Sequence, residues 1–278
     1  MNKKIVMVSG LPRSMTTLIC NILANNKNIK GGETSGLLEL MYASRANYSS
    51  SSEFKSALTE EIMHESFLNF CRQGMNGYAD IICKEKGAGI YLDKSRGWLH
   101  YSEFLREVNP DAKIIVMVRD IRSILSSFEK KWRENPSILD SRDIPSQQRF
   151  ITVDQRVNEW LSQPPLGLAL QRLYNAHQTN TLENMLVVRA EDLCKNPKDI
   201  MEKVYKFIDE PYFEMDYSNV KQMTVENDRI SDFGIYGNHT INPDVKPLKR
   251  DYDEILTSSL ASSVKANYKW FYEAFNYF

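Results

Sequence analysis

The residues from Ser9 to Thr17, "SGLPRSMTT", have the types and spacing to hold an anion. They follow a short apolar run, "KIVMV", and lead into a pattern in which Met15, Leu18, Ile19, Ile22 and Leu23 recur at helical spacing. A helix that begins here leaves its first N–H groups without intrahelical partners, and its dipole favours negative charge at that end. Ser14, Thr16 and Thr17 add hydroxyl donors, and Arg13 adds a planar, permanently charged fork. The plainer alternative is a turn capped by Ser14, with Arg13 in water. A loop built for a nucleoside triphosphate carries a second glycine and a lysine, G-x-x-x-x-G-K-[ST]. After Gly10 this chain reads Leu-Pro-Arg-Ser-Met-Thr-Thr, which disfavours a triphosphate kinase or GTPase.

A second set of donors lies in "VMVRDIRSILSSFEKKW". Arg119, Ser123, Ser127 and Lys131 follow at intervals of four, so they share one helix face. The apolar stripe Ile121, Ile124, Leu125, Phe128 and Trp132 takes the opposite face. Any one of these polar residues fits a solvated surface equally well. The whole row, beginning where a strand ends, fits a second phosphate better. Two phosphate sites beside one sheet edge suit a nucleotide phosphorylated at two positions.

The elements that must position these groups are legible around them. Continuous apolar runs at 4–10, 112–120 and 184–193 read as buried parallel strands, with "DIICKEKG" (80–87) a less regular fourth. Helical patterns occupy about 53–73, 97–108, 153–181 and 252–274, and another starts at Asn196-Pro197 as N-cap and first turn. The alternation predicts an α/β fold of three layers, a central parallel sheet flanked by helices. A chain of 278 residues suits one domain over 1–278, with a surface insertion at 134–150. The stretch 217–250 has no periodicity, and long irregular segments in compact domains are often functional.

Lys and Arg number 35 against 36 Asp and Glu, so the net charge of -1 argues against a nucleic-acid or membrane-surface partner. The four cysteines and four histidines are scattered, which predicts buried reduced thiols and no metal. No apolar stretch approaches the ~20 residues of a membrane span. A strand begins within the first few residues, with no leader pattern before it. The expectation is a cytoplasmic protein of undetermined oligomeric state.

"GLPRSMTTLICNIL" and "VMVRDIRSILSSF" resemble the two nucleotide-binding signatures of the sulfotransferases that use 3′-phosphoadenosine 5′-phosphosulfate. "VVRAEDLCKNPKDIMEKVYKFI" is similar to that family's strand, acidic turn and following helix. The resemblance implies a three-layer P-loop-like fold, with the 5′-phosphosulfate on Pro12, Arg13, Ser14, Met15, Thr16 and Thr17. It implies the 3′-phosphate on Arg119, Ser127 and Lys131. Arg189 is a candidate near the adenosine, with an ion pair to Glu191 or Asp192 as its rival role. "YGNHTINPDVKPLKRDY" looks like the segment that closes over the nucleotide, with Thr240 and Lys246 as contacts.

In motif style the chain is closest to the tyrosylprotein branch, which carries a glutamate general base about twenty residues after the loop. By match in "GGETSGLLE" that base is Glu33, with Glu39 as competitor. The branch's catalytic lysine maps to Lys94 in "YLDKSRG", with Lys84 and Lys86 as competitors. The implied reaction is in-line sulfuryl transfer to an acceptor hydroxyl, with Glu33 as base and Arg13 and Lys94 stabilising charge, without a metal. Two departures stand out. Met15 replaces a glycine usual in the first loop, and Ser35 replaces an arginine that the branch uses for acceptor recognition. The acceptor therefore stays open among peptide tyrosine, carbohydrate and small molecule. Rival functions are a P-loop phosphotransferase and a non-catalytic adenosine-bisphosphate-binding module.

Overall fold

The computed structural model describes residues 3–84, 87–134, 152–228 and 239–277. Five strands form one sheet: β1 (Lys4–Gly10), β2 (Ile29–Thr34), β3 (Ile90–Lys94), β4 (Lys113–Val118) and β5 (Leu186–Arg189). Their order is β2-β3-β1-β4-β5, and every pairing is parallel. In β1, Ile5 and Met7 join one apolar cluster while Val6 and Val8 join the other; Ile114, Val116 and Val118 alternate in the same way with Ile115 and Met117. A sheet buried on both faces has this period of two. The predicted three-layer architecture is what forms.

Helices α1 (Thr16–Ala24), α9 (Ala190–Lys195) and α10 (Pro197–Phe207) cover one face. The other is covered by α2 (Leu37–Ser50), α4 (Glu60–Lys84), α5 (Ser102–Val108), α6 (Ile121–Glu134), α7 (Val153–Ser162), α8 (Leu166–Gln178) and the C-terminal α11 (Tyr252–Ile255), α12 (Ser258–Asn267) and α13 (Lys269–Ala274). The short α3 (Ser52–Ala57) joins α2 to α4.

Several sequence-based bounds need correction. The run 80–84 closes α4, because Phe67, Cys71, Met75, Ala79 and Cys83 are buried at a spacing of four. The strands β2 and β3 carry no continuous apolar run that marks them in the sequence. The run 184–193 is a strand only over Leu186–Arg189 and then turns into α9. The helical pattern 153–181 breaks at Pro164-Pro165 into α7 and α8. The insertion expected at 134–150 lies, apart from its first residue, outside the described residues. Its flanks are joined by a buried ion pair: Arg156 of α7 donates to Glu129 of α6 through Nε (2.8 Å) and Nη2 (2.6 Å).

The chain leaves β1 toward β2 on one side and leaves β4 toward β5 on the other. The gap between the C-terminal ends of β1 and β4 is thus a topological switch point, where open α/β sheets take their ligands.

Candidate functional site

The loop after β1 is tight because it must pass β4. Leu11 N–H donates to the Met117 carbonyl at 3.0 Å, and a Cβ on Gly10 would lie 2.1 Å from that same oxygen. Three residues of the loop have positive φ: Gly10 (139°), Arg13 (57°) and Met15 (66°). For residues other than glycine this conformation costs about 1–2 kcal/mol each, and such strain gathers at functional sites. Met15 thus occupies a glycine-type conformation as the residue preceding α1. Ser14 is fully buried and its hydroxyl donates to the Leu11 carbonyl at 2.5 Å, so it braces the loop from within. The N–H groups at the start of α1 are left for a ligand.

Behind this loop stand Arg119 and α6. Arg119 Nη1 donates to the Arg13 carbonyl at 2.9 Å, and Arg13 Nε donates to Ser127 Oγ at 3.1 Å. The Nε of Arg119 is buried and has no hydrogen-bond partner among the described residues. Burial, and secondarily the neighbouring Arg119, lowers the pKa of Arg13. Two guanidiniums held this close, one with an orphaned donor, favour an anion between or beside them.

Across the cleft, β2 ends in a bulge. Gly31 and Gly32 have φ of 102° and 99°, and the register with β3 shifts between Gly31 and Thr34. A Cβ on Gly31 would meet the Leu92 carbonyl at 2.3 Å. The bulge turns Glu33, half-buried, to the cleft wall, while Thr34 pairs with Lys94 at the end of β3. Asp93 underlies this corner. Its fully buried carboxylate accepts from Ser35 Oγ, from Tyr91 Oη at 2.9 Å and from Trp98 Nε1 at 2.7 Å. Burial raises the Asp93 pKa, and the three donors act against it. Its function is to hold Ser35, and thereby the end of β2, against β3.

Lys94 is almost fully buried. Its Nζ lies 2.5 Å from Glu226 Oε1 and 3.5 Å from Thr17 Oγ1. Glu226 belongs to an irregular strap formed by 217–228 and 239–250. Asn21 of α1 anchors the strap, donating to Thr224 Oγ1 and accepting from the N–H of Thr224. His239 then bridges two strap carboxylates, Glu226 through Nε2 at 3.3 Å and Asp228 through Nδ1.

These parts enclose a cleft of about 1250 Å³. Pro12, Arg13, Met15, Thr16, Thr17, Glu33, Lys94, Arg119, Thr240 and Lys246 all line it, as does Glu39. Four expected contacts do not. Ser14 and Ser127 sit behind the wall, tied to Leu11 and Arg13. Lys131 pairs with Glu134 at 2.8 Å on the exposed side of α6. Arg189 lies over the Tyr277 ring, donates to the Asn276 carbonyl and sits 3.7 Å from Asp192, the rival role foreseen for it. Among residues not singled out from the sequence, Glu226 and His239 come from the aperiodic strap, and Arg96, Arg172, Tyr42 and Tyr101 also line the cleft. No group of His, Cys, Asp and Glu among the described residues has a metal-holding arrangement.

A profile described as "Sulfotransferase family" matches residues 6–214. A protein-tyrosine sulfotransferase of Drosophila melanogaster is 22% identical over 214 residues, covering 75% of this chain and 38% of that protein. Protein-tyrosine sulfotransferase A of Caenorhabditis elegans is 22% identical over 212 residues, covering 74% of this chain and 50% of that protein. The chain thus spans half or less of the length of these relatives. Among solved structures, the sulfotransferase domain of the Synechococcus PCC 7002 olefin synthase superposes with a TM-score of 0.51. The two are 16% identical, with 95% of this chain and 94% of that one covered, a likeness of fold. With the profile spanning most of its length, this chain belongs to the sulfotransferase family.

Proposed function

We propose that the cleft transfers a sulfuryl group from 3′-phosphoadenosine 5′-phosphosulfate to the hydroxyl of an acceptor. The observation that carries the reading is the buried Nε of Arg119, unpartnered among the described residues, beside Arg13 at the switch point of the sheet. An orphaned cationic donor in that position suits a phosphate, and the start of α1 offers a second anion site on the other side of the loop. When bound, the donor substrate supplies the sulfuryl group and a phosphate leaving group.

The acceptor oxygen attacks sulfur, the new S–O bond forms as the S–O bond to the 5′-phosphate breaks, and the acceptor proton passes to the Glu33 carboxylate. Adenosine 3′,5′-bisphosphate leaves with the electron pair. Lys94, Arg13 and the N–H groups at Thr16 and Thr17 face the region where negative charge grows, so they act by fixed electrostatic stabilisation. Thr240 and Lys246 of the strap bound the same cleft and serve as nucleotide contacts. Leu38, Tyr42, Tyr101 and Leu168, which line the same cleft, receive the acceptor, whose class is a hydroxyl-bearing peptide, carbohydrate or small molecule.

The test is release of adenosine bisphosphate from the phosphosulfate donor, assayed against phenol, sugar and tyrosyl-peptide acceptors without added metal. Acceptor-dependent release is the expected result. Turnover of Mg·ATP in place of the phosphosulfate would overturn the reading.

A further inference from the structure

Seven lysines and arginines line the cleft against four carboxylates. Of the carboxylates, Glu226 is taken by Lys94 and His239, and Asp244 by Lys246. Glu33 and Glu39, the other two, form no ion pair among the described residues. The nucleotide reading employs Arg13, Lys94, Arg119 and Lys246. Arg96 and Arg172 are left over, and they are neighbours: burial lowers the pKa of Arg96, and the positive charge of Arg172 lowers it further. Arg172 makes no hydrogen bond or ion pair among the described residues. Two guanidiniums brought together in a partly desolvated wall repel each other until an anion joins them, and an oxyanion fits two such forks.

The pair stands on the side of the sheet away from the strap. Leu38, Trp98, Leu99 and Leu173, which surround these positions in the chain and in space, belong to one apolar cluster, while Val220, Ile241 and Val245 of the strap belong to the other. Arg96 follows Lys94 by two residues, a span of at most about 7 Å of chain. Its carbonyl accepts from Ser9 Oγ at 3.2 Å, which holds the turn over the end of β1. Arg172 shares a face of α8 with Leu168 and Ala169, which also line the cleft. An anion on this pair is therefore close to Lys94 and apart from the strap that bounds the nucleotide. The surroundings are apolar and closed on the α2 side. The rings of Tyr42 and Tyr101 stand 4.3 Å apart, and a Cβ on Gly97 would lie 2.2 Å from Leu38 Cδ2. Such a wall suits a molecule that ends there better than a peptide that continues past it.

We propose that Arg96 and Arg172 bind an oxyanion carried by the acceptor, and that the acceptor is a small, apolar or aromatic hydroxy acid. This rests on the sulfuryl-transfer reading of the same cleft and narrows its acceptor.

Two readouts on the full chain separate the two. In calorimetry, with and without saturating adenosine bisphosphate, hydroxyphenylpropionate and hydroxybenzylphosphonate are expected to bind about 10- to 100-fold tighter than hydroxyphenylpropionamide, and their ranking tells carboxylate from phosphoryl oxyanion. With the phosphosulfate donor the same preference is expected in kcat/KM, carried by KM. Arg172→Leu is expected to abolish the preference while bisphosphate affinity holds. Arg172→Glu is expected to transfer it to hydroxyphenylpropylamine, a gain that loss of fold cannot produce. Equal binding of acid and amide to the wild-type chain would overturn the proposal and leave the transfer reading standing. So would preference for an acidic tyrosyl peptide over the small acids, or loss of bisphosphate affinity in Arg172→Leu, which would put the pair on the nucleotide. Acid binding that depends on Arg172 in a chain that does not bind the bisphosphate would uphold the anion site and overturn the transfer reading.

Discussion

Lys94 is held between Thr17 on the first loop and Glu226 on the strap. The Glu226 carboxylate occupies a place that a ligand anion would take against Lys94, so the two compete. Glu226→Gln is expected to tighten the phosphosulfate donor about tenfold in calorimetry, a change of roughly 1.4 kcal/mol; unchanged or weaker binding would mean that Glu226 supports the lysine in the bound state. Glu33→Gln is expected to lower turnover by about 10²- to 10⁴-fold while bisphosphate affinity holds. Full activity in that variant would remove Glu33 from the reaction. At this scale the sequence is readable where a residue sits beside a turn or a strand end, as Arg13, Glu33, Lys94 and Arg119 do. It is unreadable where the partner is remote. Glu226 lies 132 residues from Lys94, in a stretch with no periodicity. The helical row that grouped Lys131 with Arg119 could not weigh the nearer Glu134, which captures it.

At the scale of elements, β1 and β4 were legible because their apolar runs are unbroken. By contrast, β2 is an edge strand interrupted by two glycines, and β3, "IYLDK", is five residues long and carries two charges. Their polar residues are buried by partners that no local pattern reveals: Asp93 by Ser35, Tyr91 and Trp98, and Lys94 by Glu226. The same holds for the junction of α6 and α7. Glu129 is fully buried, accepts from Arg156 and Arg133, and Arg156 stacks 3.6 Å from the Trp132 ring centre. Removing one member of a buried pair leaves an uncompensated charge. Glu129→Ala is therefore expected to cost about 3–5 kcal/mol in urea denaturation. A loss below about 1 kcal/mol, the range of an exposed pair, would contradict this account of how α6 is fixed.

Across the whole molecule, the sheet divides the core into two clusters, and all four cysteines are buried within them as free thiols. Burial pushes the thiol of Cys20 up to about 12 and those of Cys71 and Cys194 up to about 11. Folded thiols thus keep their protons where unfolded ones, with a pKa of about 8.5, release them. Their contribution to stability is complete below about pH 8.5 and fades as the pH climbs toward about 12. Thiol reagent at pH 8 is expected to label the chain only as fast as it unfolds; rapid labelling in buffer would contradict the packing. The proposed phosphosulfate site is the cleft that joins the loop after β1, the end of β4 and the strap. Its most direct test is a thermal shift with adenosine 3′,5′-bisphosphate, 5′-AMP and Mg·ATP, since a ligand that binds only the folded chain raises its melting temperature. Stabilisation by the bisphosphate, little by 5′-AMP, and loss of that difference in Arg119→Ala are the expected results. Equal stabilisation by 5′-AMP, or a response to Mg·ATP alone, would contradict that assignment.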